Sequence, residues 1–360
     1  MKANHILAGE IRFVTKNWKS SGSPELLLIS NTKSPTNLSY TFTTPVANAG
    51  VNVSTLPGYN PGAVNNVTIT VNPGVYLYAT STASAGLSVT GVAGTDVVTI
   101  VNNGYIMGQG GTGGGSNPGG SMIPPTAGGP ALSLSSNVTI TGSGYIAGGG
   151  GGGAGGKSAY ECTFEYSWGG GGGGAGGGMG GSIAFSGTGA TGYLSGGAGG
   201  GPGSSGANGQ ASSTLDTGGA PIEGGGGGGG RILPGNSTAS ISPGPGIGGT
   251  AGGSGSSSYW IGAGGFGGGG NSAGSAPANG WDLPGGGGGW GAAGGSSGTI
   301  PGTSHITGTI NVGTTKNPVY ENTYAYDVVA ATPGAGGGLA IQLNGHTAAY
   351  SGQTIYGAIA

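Results

Sequence analysis

From Val64 to Gly108 apolar and polar residues alternate, through NNVTITVNPGVYLYA, GLSVTGV and TDVVTIVNNGYIMG. Valine, isoleucine, threonine and tyrosine at period two predict strands that bury one face. The Asn-Pro-Gly and Asn-Asn-Gly interruptions predict tight turns between them. One unit then recurs: Val98-Thr99-Ile100 leads to Gly104-Tyr105-Ile106 and a glycine run, and Val138-Thr139-Ile140 leads to Gly144-Tyr145-Ile146 and another. A recurrence of roughly 40 residues predicts stacked β units, each feeding a glycine run from the same end. The expected fold class is therefore mainly β and irregular, with almost no α-helix.

Upstream, residues 1–60 hold LLLIS and YTFTTPV, short strand-type segments bounded by Ser, Thr, Asn and Pro. This stretch reads as a small β-rich attachment region. Five of the eight basic residues (Lys2, Arg12, Lys16, Lys19 and Lys33) lie in it, consistent with a separate task for that end or simply with a solvated face. Glu10 and Arg12 interrupt the first apolar stretch before a secretory core forms, and no apolar run approaches membrane-spanning length. Synthesis in a cytoplasm, without membrane insertion, is the expectation.

Glycine changes the picture beyond Gly108. The chain has 97 glycines in 360 residues and only 5% charged residues, far outside globular composition. Glycine segments occupy 108–120, 148–156, 169–181, 196–203, 224–230, 244–253, 262–270, 285–295 and 334–338, with a shorter one at Gly128-Gly129. Between them lie dissimilar connectors such as KSAYECTFEYSW, SSSYWI and NSAGSAPANGWDLP. Disorder would favour charge and avoid aromatics, yet five Trp and fifteen Tyr punctuate this chain.

Ordering so much glycine is entropically costly, so a folded chain needs a compensating reason for it. Close approach of backbones supplies one. Extended helices with three residues per turn pack side by side where side chains vanish, as at the collagen axis, and direct their amides and carbonyls at their neighbours. A bundle of such helices satisfies its buried polar groups laterally. Collagen itself is excluded, because runs such as Gly224 to Gly230 carry no X or Y residue. The reading divides the chain into an attachment region (1–60), stacked strands (61–107), a polyglycine-II sandwich with exposed variable loops (108–343) and a C-terminal segment that returns to the near end (344–360).

The motifs GYIAGGGGGGAGG, WGGGGGGAGGGMGG, IEGGGGGGG and LPGGGGGWGAAGG, over about 104–343, resemble the distal tail-fibre adhesins of T-even-like bacteriophages. The C-terminal GGGLAIQLNGHTAAYSGQTIYGAI is similar to the glycine-rich ends of other phage tail fibres. The resemblance implies a polyglycine-II sandwich at the distal tip of a virion tail fibre. It implies loops that bind a bacterial outer-membrane protein or surface glycan and so determine host range. The N-terminal region would then hold the phage tail-fibre protein, although the β-rich segment 60–107 departs from the T-even pattern.

Which connectors face the receptor follows from parity, if each glycine run crosses the bundle once. The distal set is then 119–126, 157–168, 204–223, 254–261 and 296–333, and the proximal set 182–195, 231–243 and 271–284. Rigid amphipathic aromatics are the usual interface anchors. The candidate receptor-binding residues are Tyr160, Phe164, Tyr166, Trp168, Tyr259, Trp260, Tyr320, Tyr324 and Tyr326.

Other chemistries find little support. A net charge of −2 without a basic stripe gives no footprint for nucleic acid. His5, His305 and His346 are far apart, Cys162 is alone, and no metal-ligand spacing or nucleophile motif occurs, so no enzyme, metal or cofactor is expected. Glu161 with Glu165, or Asp216 with Glu223, are the carboxylate pairs a glycan-cleaving enzyme would need. They read more simply as polar contacts in variable loops. An ice-binding or structural glycine protein is the other alternative, and it predicts flat, regular faces without clustered aromatics.

Overall fold

The computed structural model describes residues 34–116, 121–157, 168–187, 190–204, 206–210, 228–229, 284–297, 300–312, 319–329 and 331–360, with two short strands near the N-terminus. Those two, β1 (Ile11–Phe13) and β2 (Leu28–Ser30), pair antiparallel with each other. The next strands wind as a three-sided stack. Its first circuit is β3 (Thr36–Phe42), β4 (Val46–Ala47) and β5 (Ala49–Asn52), and its second β6 (Asn65–Val71), β7 (Tyr76–Tyr78) and β8 (Leu87–Thr90). The third is β9 (Val97–Asn102), β10 (Tyr105–Met107) and, after an excursion carrying β11 (Gly115–Ser116) and β12 (Met122–Ile123), β13 (Leu132–Leu134). The fourth is β14 (Val138–Thr141) and β15 (Tyr145–Ala147). A far longer excursion follows, bearing β16 (Gly156–Lys157), β17 (Trp168–Gly169), β18 (Ile183–Gly187), β19 (Ala190–Leu194), β20 (Ile300–Asn311) and β21 (Tyr320–Val329). The circuit closes at β22 (Ile341–Gln342), and β23 (Ala348–Tyr350) and β24 (Thr354–Tyr356) begin a fifth.

Each side of the stack is a parallel sheet, in the orders β23-β14-β9-β6-β3, β24-β15-β10-β7-β4 and β22-β13-β8-β5. The recurrence seen in the sequence is the register itself, with Val98 opposite Val138 and Tyr105 opposite Tyr145. Inward positions form ladders, such as Leu38–Val67–Val98–Val138 and Leu77–Ile106–Ile146, all nearly or completely buried. Fully burying one such side chain stabilises by about 1.5–3 kcal/mol. Among the described residues the helical content is a single 3-10 turn, Val53–Thr55, and no helix is long and apolar enough to cross a membrane.

Two polar clusters tie corners of the stack together. The Asn102 amide donates to Gln353 Oε1 at 2.8 Å, and Gln353 Nε2 donates to the Asn102 and Thr141 carbonyls at 3.1 and 3.0 Å. Asp96 accepts from Asn65 Nδ2 at 2.8 Å, from the amides of Ala93 and Asn65, and from the Tyr59 hydroxyl.

Both excursions leave the stack at one corner, from β10 and from β15. They run in the same direction, since the amides of Gly111 and Gly114 donate to Gly150 and Gly153. Residues 124–129 run back between them to β13, because Gly149 and Gly152 donate to Gly129 and Thr126.

The run 148–156 sits at the centre of the glycine block, and its hydrogen bonds repeat every three residues. Amides 149 and 152 reach Gly129 and Thr126, amides 150 and 153 reach Ala175 and Gly172, and amides 151 and 154 reach Ala292 and Gly295, at 2.7–3.0 Å. Its carbonyls accept in the same rhythm: 150 and 153 from Gly111 and Gly114, 151 and 154 from Gly288 and Gly285, and 149 and 152 from Gly338 and Ala335. Six neighbouring stretches thus surround one strand of backbone. A Cβ on Gly150, Gly152 or Gly153 would fall onto the carbonyls of Gly288, Thr112 and Gly285.

Two glycine runs do not cross the block once, as the parity reading assumed. Residues 169–181 turn back at 175–177, where Gly176 and Gly177 have φ of 101° and 79°, and the amides of Gly178 and Gly181 donate to Gly174 and Gly171. Residues 285–295 turn at Trp290 and Gly291, and Gly295 donates to Gly286. Glycine adopts positive φ without penalty, so a run of it can turn anywhere. The runs 244–253 and 262–270 lie outside the described residues.

Candidate functional site

The two ends of the block differ in kind. At the near end, Ala175 and Trp290, from the two turns, pack on Met107, Ala147 and Tyr356, with Tyr76, Tyr78, Tyr105 and Tyr145 beside them. The tyrosines stack along the outer face of β7, β10 and β15, with ring centroids 4.9 Å apart for Tyr76 and Tyr105 and 5.5 Å for Tyr105 and Tyr145. Trp290 is completely buried in this junction. The near end is occupied by the molecule itself.

At the far end the chain forms antiparallel two-stranded ribbons instead: β11–β12, β16–β17, β18–β19 and β20–β21. β11, β17 and β18 lie side by side there. The extra turn at 175–177 sends 178–182 outward, parallel to 113–116, as the bonds Gly113 to Met179 and Ser116 to Ser182 require. The connector 182–195 therefore belongs to the far end, which corrects its assignment to the proximal set. Residues 284–290 likewise enter the block from the far end, antiparallel to 148–156.

Of the candidate residues, Tyr160, Phe164, Tyr166, Tyr259 and Trp260 lie outside the described residues. So do Cys162, Glu161, Glu165, Asp216, Glu223 and His5. Trp168 pairs with Lys157 in the β16–β17 ribbon. Tyr320, Tyr324 and Tyr326 all lie on β21, opposite Asn311, Ile306 and Ser304, so the fold brings these three together on one strand. Tyr320 is 66% exposed.

Residues the aromatic reading missed join them at the same end. Tyr193 on β19 is exposed, as are Ile123, Ile310, Val312 and Val319. The signal for the last three was present in the alternating ITGTINV followed by a Gly-Thr-Thr-Lys-Asn-Pro turn, a hairpin signature.

Titratable chemistry is sparse. Among the described residues no group of three or more His, Cys, Asp or Glu is placed to hold a metal ion. Asp96 has the most worked environment. Desolvation, the largest influence, pushes its pKa up, but the hydrogen bonds from Asn65, Ala93 and Tyr59 outweigh it and hold the carboxyl below its ordinary range. With four donors already on its oxygens, this carboxylate pins a corner of the stack, where Tyr59, raised by desolvation and by Asp96, stays a neutral donor.

No curated protein and no solved structure matches the chain. A family model, phage tail fibre adhesin Gp38, matches residues 36–221. The match begins at the first residue of β3 and takes in the strand stack through β15, the first glycine runs and the ribbons β11–β12, β16–β17 and β18–β19. A match over more than half of the chain, to a region that holds most of the stack, the first glycine runs and three of the four far-end ribbons, assigns the protein: it belongs to the phage tail fibre adhesin Gp38 family.

Proposed function

We propose that this adhesin is the distal tip of a tail fibre, and that its far-end ribbons and connectors bind a bacterial surface receptor and so set host range. The observation that carries the reading is the division of labour between the two ends. Self-packed aromatics occupy the near end, and the antiparallel ribbons collect at the far end with exposed Tyr193 and Tyr320. Tyr160, Phe164, Tyr166, Trp168, Tyr259, Trp260, Tyr320, Tyr324 and Tyr326 are the proposed receptor contacts, with an outer-membrane protein or surface glycan opposite them. The N-terminal region is the proposed attachment to the fibre.

We further propose that the glycine runs are polyglycine-II helices forming a sandwich. Supporting this, bonds repeating every third residue to different neighbours are the pattern that a three-residue-per-turn helix imposes. Such a block would hold the ribbons rigidly, sparing the entropy that flexible loops lose on binding.

The test is adsorption competition. Purified full-length protein, incubated with host cells, should reduce phage adsorption, and a Trp168→Ala/Tyr320→Ala variant with unchanged Tm should compete at least roughly tenfold less well. Absence of competition by the wild-type protein would defeat the reading. Release of reducing sugar from host glycan would identify an enzyme instead.

A further inference from the structure

We infer that the outer face of the sheet β23-β14-β9-β6-β3 is an ice-adsorbing surface, a second activity independent of receptor binding. It rests on the alternating Val-Thr-Ile motif, which the adhesin reading leaves unused.

The motif turns valine and isoleucine inward and threonine outward. The register aligns the outward residues in columns: Ser39–Thr68–Thr99–Thr139–Ala349 and, two residues along, Thr41–Thr70–Val101–Thr141. Asn37–Asn66–Val97 forms a third, in which the Asn66 amide donates to Asn37 Oδ1 at 3.0 Å. Hydroxyls therefore repeat in two directions, at about 4.8 Å between strands and about 6.6 Å along them. None of these residues is buried and none is charged. β-Branched side chains are stiff at χ1, so the hydroxyls and methyls are held in rank. Strand propensity accounts for β-branched residues here, but not for the lack of charge or for the two-way repeat of hydroxyls.

The other two sides of the stack differ. The glycine block covers the side built on β7, β10 and β15, where Met107 and Ala147 pack with Trp290. The side built on β5, β8, β13 and β22 has strands of only two to four residues.

Size and chemistry select the occupant of the threonine face. It measures roughly 20 Å by 13 Å, about a third of the roughly 800 Å² that each partner contributes to a standard protein interface. A second copy of the chain would find too little to hold. A glycan prefers aromatic faces, and these columns carry no ring. Ice is neutral, as the face is, and its oxygens repeat in a lattice plane at spacings near those of the hydroxyl columns. Threonine hydroxyls donate and accept, as lattice water does, while the methyls beside them bind by leaving liquid water. Each contact is weak, and only a periodic partner engages all of them at once.

The experiment follows ice-grain growth in annealed frozen solutions of the full-length protein, of Thr68→Lys/Thr99→Lys/Thr139→Lys and of Thr90→Lys. Thr90 is exposed on β8, on another side of the stack. Wild type and Thr90→Lys should restrain grain growth, and the triple variant should keep its Tm and lose the restraint. If the triple variant does not fold, Thr139→Lys alone, at an exposed position, carries the test with the same expected loss. Wild-type grains that grow as fast as in an equal mass of serum albumin overturn the inference. So does restraint that survives in the folded lysine variant. In adsorption competition the triple variant should match wild type, which separates the two activities. A folded triple variant that no longer competes assigns the face to receptor binding and overturns the inference, leaving the adhesin reading in place.

Discussion

The amide of Gly152 donates to the carbonyl of Thr126 at 3.0 Å, bringing two backbones into direct contact where no side chain intervenes. On its other side a Cβ would land on the Thr112 carbonyl, whereas a Cβ on Gly336, at the edge of the block, meets nothing within 4 Å. Gly152→Ala should therefore destabilise by about 1–3 kcal/mol or more, as overpacking does. Gly336→Ala should be neutral, or stabilising by up to about 1 kcal/mol through the unfolded chain. Differential scanning calorimetry of the two variants checks this. Equal melting temperatures would remove the packed-backbone account of the block.

Trp290 joins the block to the stack. It is fully buried with Met107, Ala147, Ala175 and Tyr356, and it stands at the turn within the run 285–295. Trp290→Ala should cost about 3–5 kcal/mol in urea titration. Trp290→Phe should recover part of that, because it keeps an aromatic ring in the apolar junction.

Asn102 and Gln353 bond each other reciprocally in the buried corner where the last circuit meets the third. Gln353→Leu should cost about 1–3 kcal/mol, since it leaves the Asn102 amide and two carbonyls without this partner. If the loss were confined to the C-terminal circuit, hydrogen exchange would quicken at β23 and β24 first. Uniform exchange across the stack would show that all circuits melt together.

Asp96 makes stability pH-dependent in a defined direction. Its folded pKa lies below the ordinary 3.8, so the stability it contributes is present above that value and is lost as pH falls through the folded pKa. The wild-type protein should lose stability below about pH 4, and Asp96→Asn should lose less over the same interval while being weaker at pH 7. Thermal midpoints at pH 7 and pH 3 for both proteins test this. A parallel decline in the two would assign the acid sensitivity elsewhere.

Much of the stack was legible before any coordinates. In a parallel stack each circuit meets the same environment as the one below, so Val98-Thr99-Ile100 and Val138-Thr139-Ile140 resemble each other because they are register partners. The common exit of the two glycine excursions was legible for the same reason. The paths inside the block were not. Tyr193 and Leu194 lie at the far end, against the parity of the runs, because a turn at 175–177 reverses the chain within an unbroken glycine run.

Side chains record their surroundings. Alternating Val, Ile and Thr therefore declare a buried face, and the dissimilar, aromatic connectors between glycine runs declare where the chain leaves the repeat. Those statements belong to the primary structure alone. Glycine records nothing of its neighbours, because its hydrogen-bonding groups are the same at every position and it accepts positive φ wherever a turn is wanted. Which run lies beside which, where 169–181 and 285–295 reverse, and which connectors share the far end were decided only when the backbone amides and carbonyls found partners across the block.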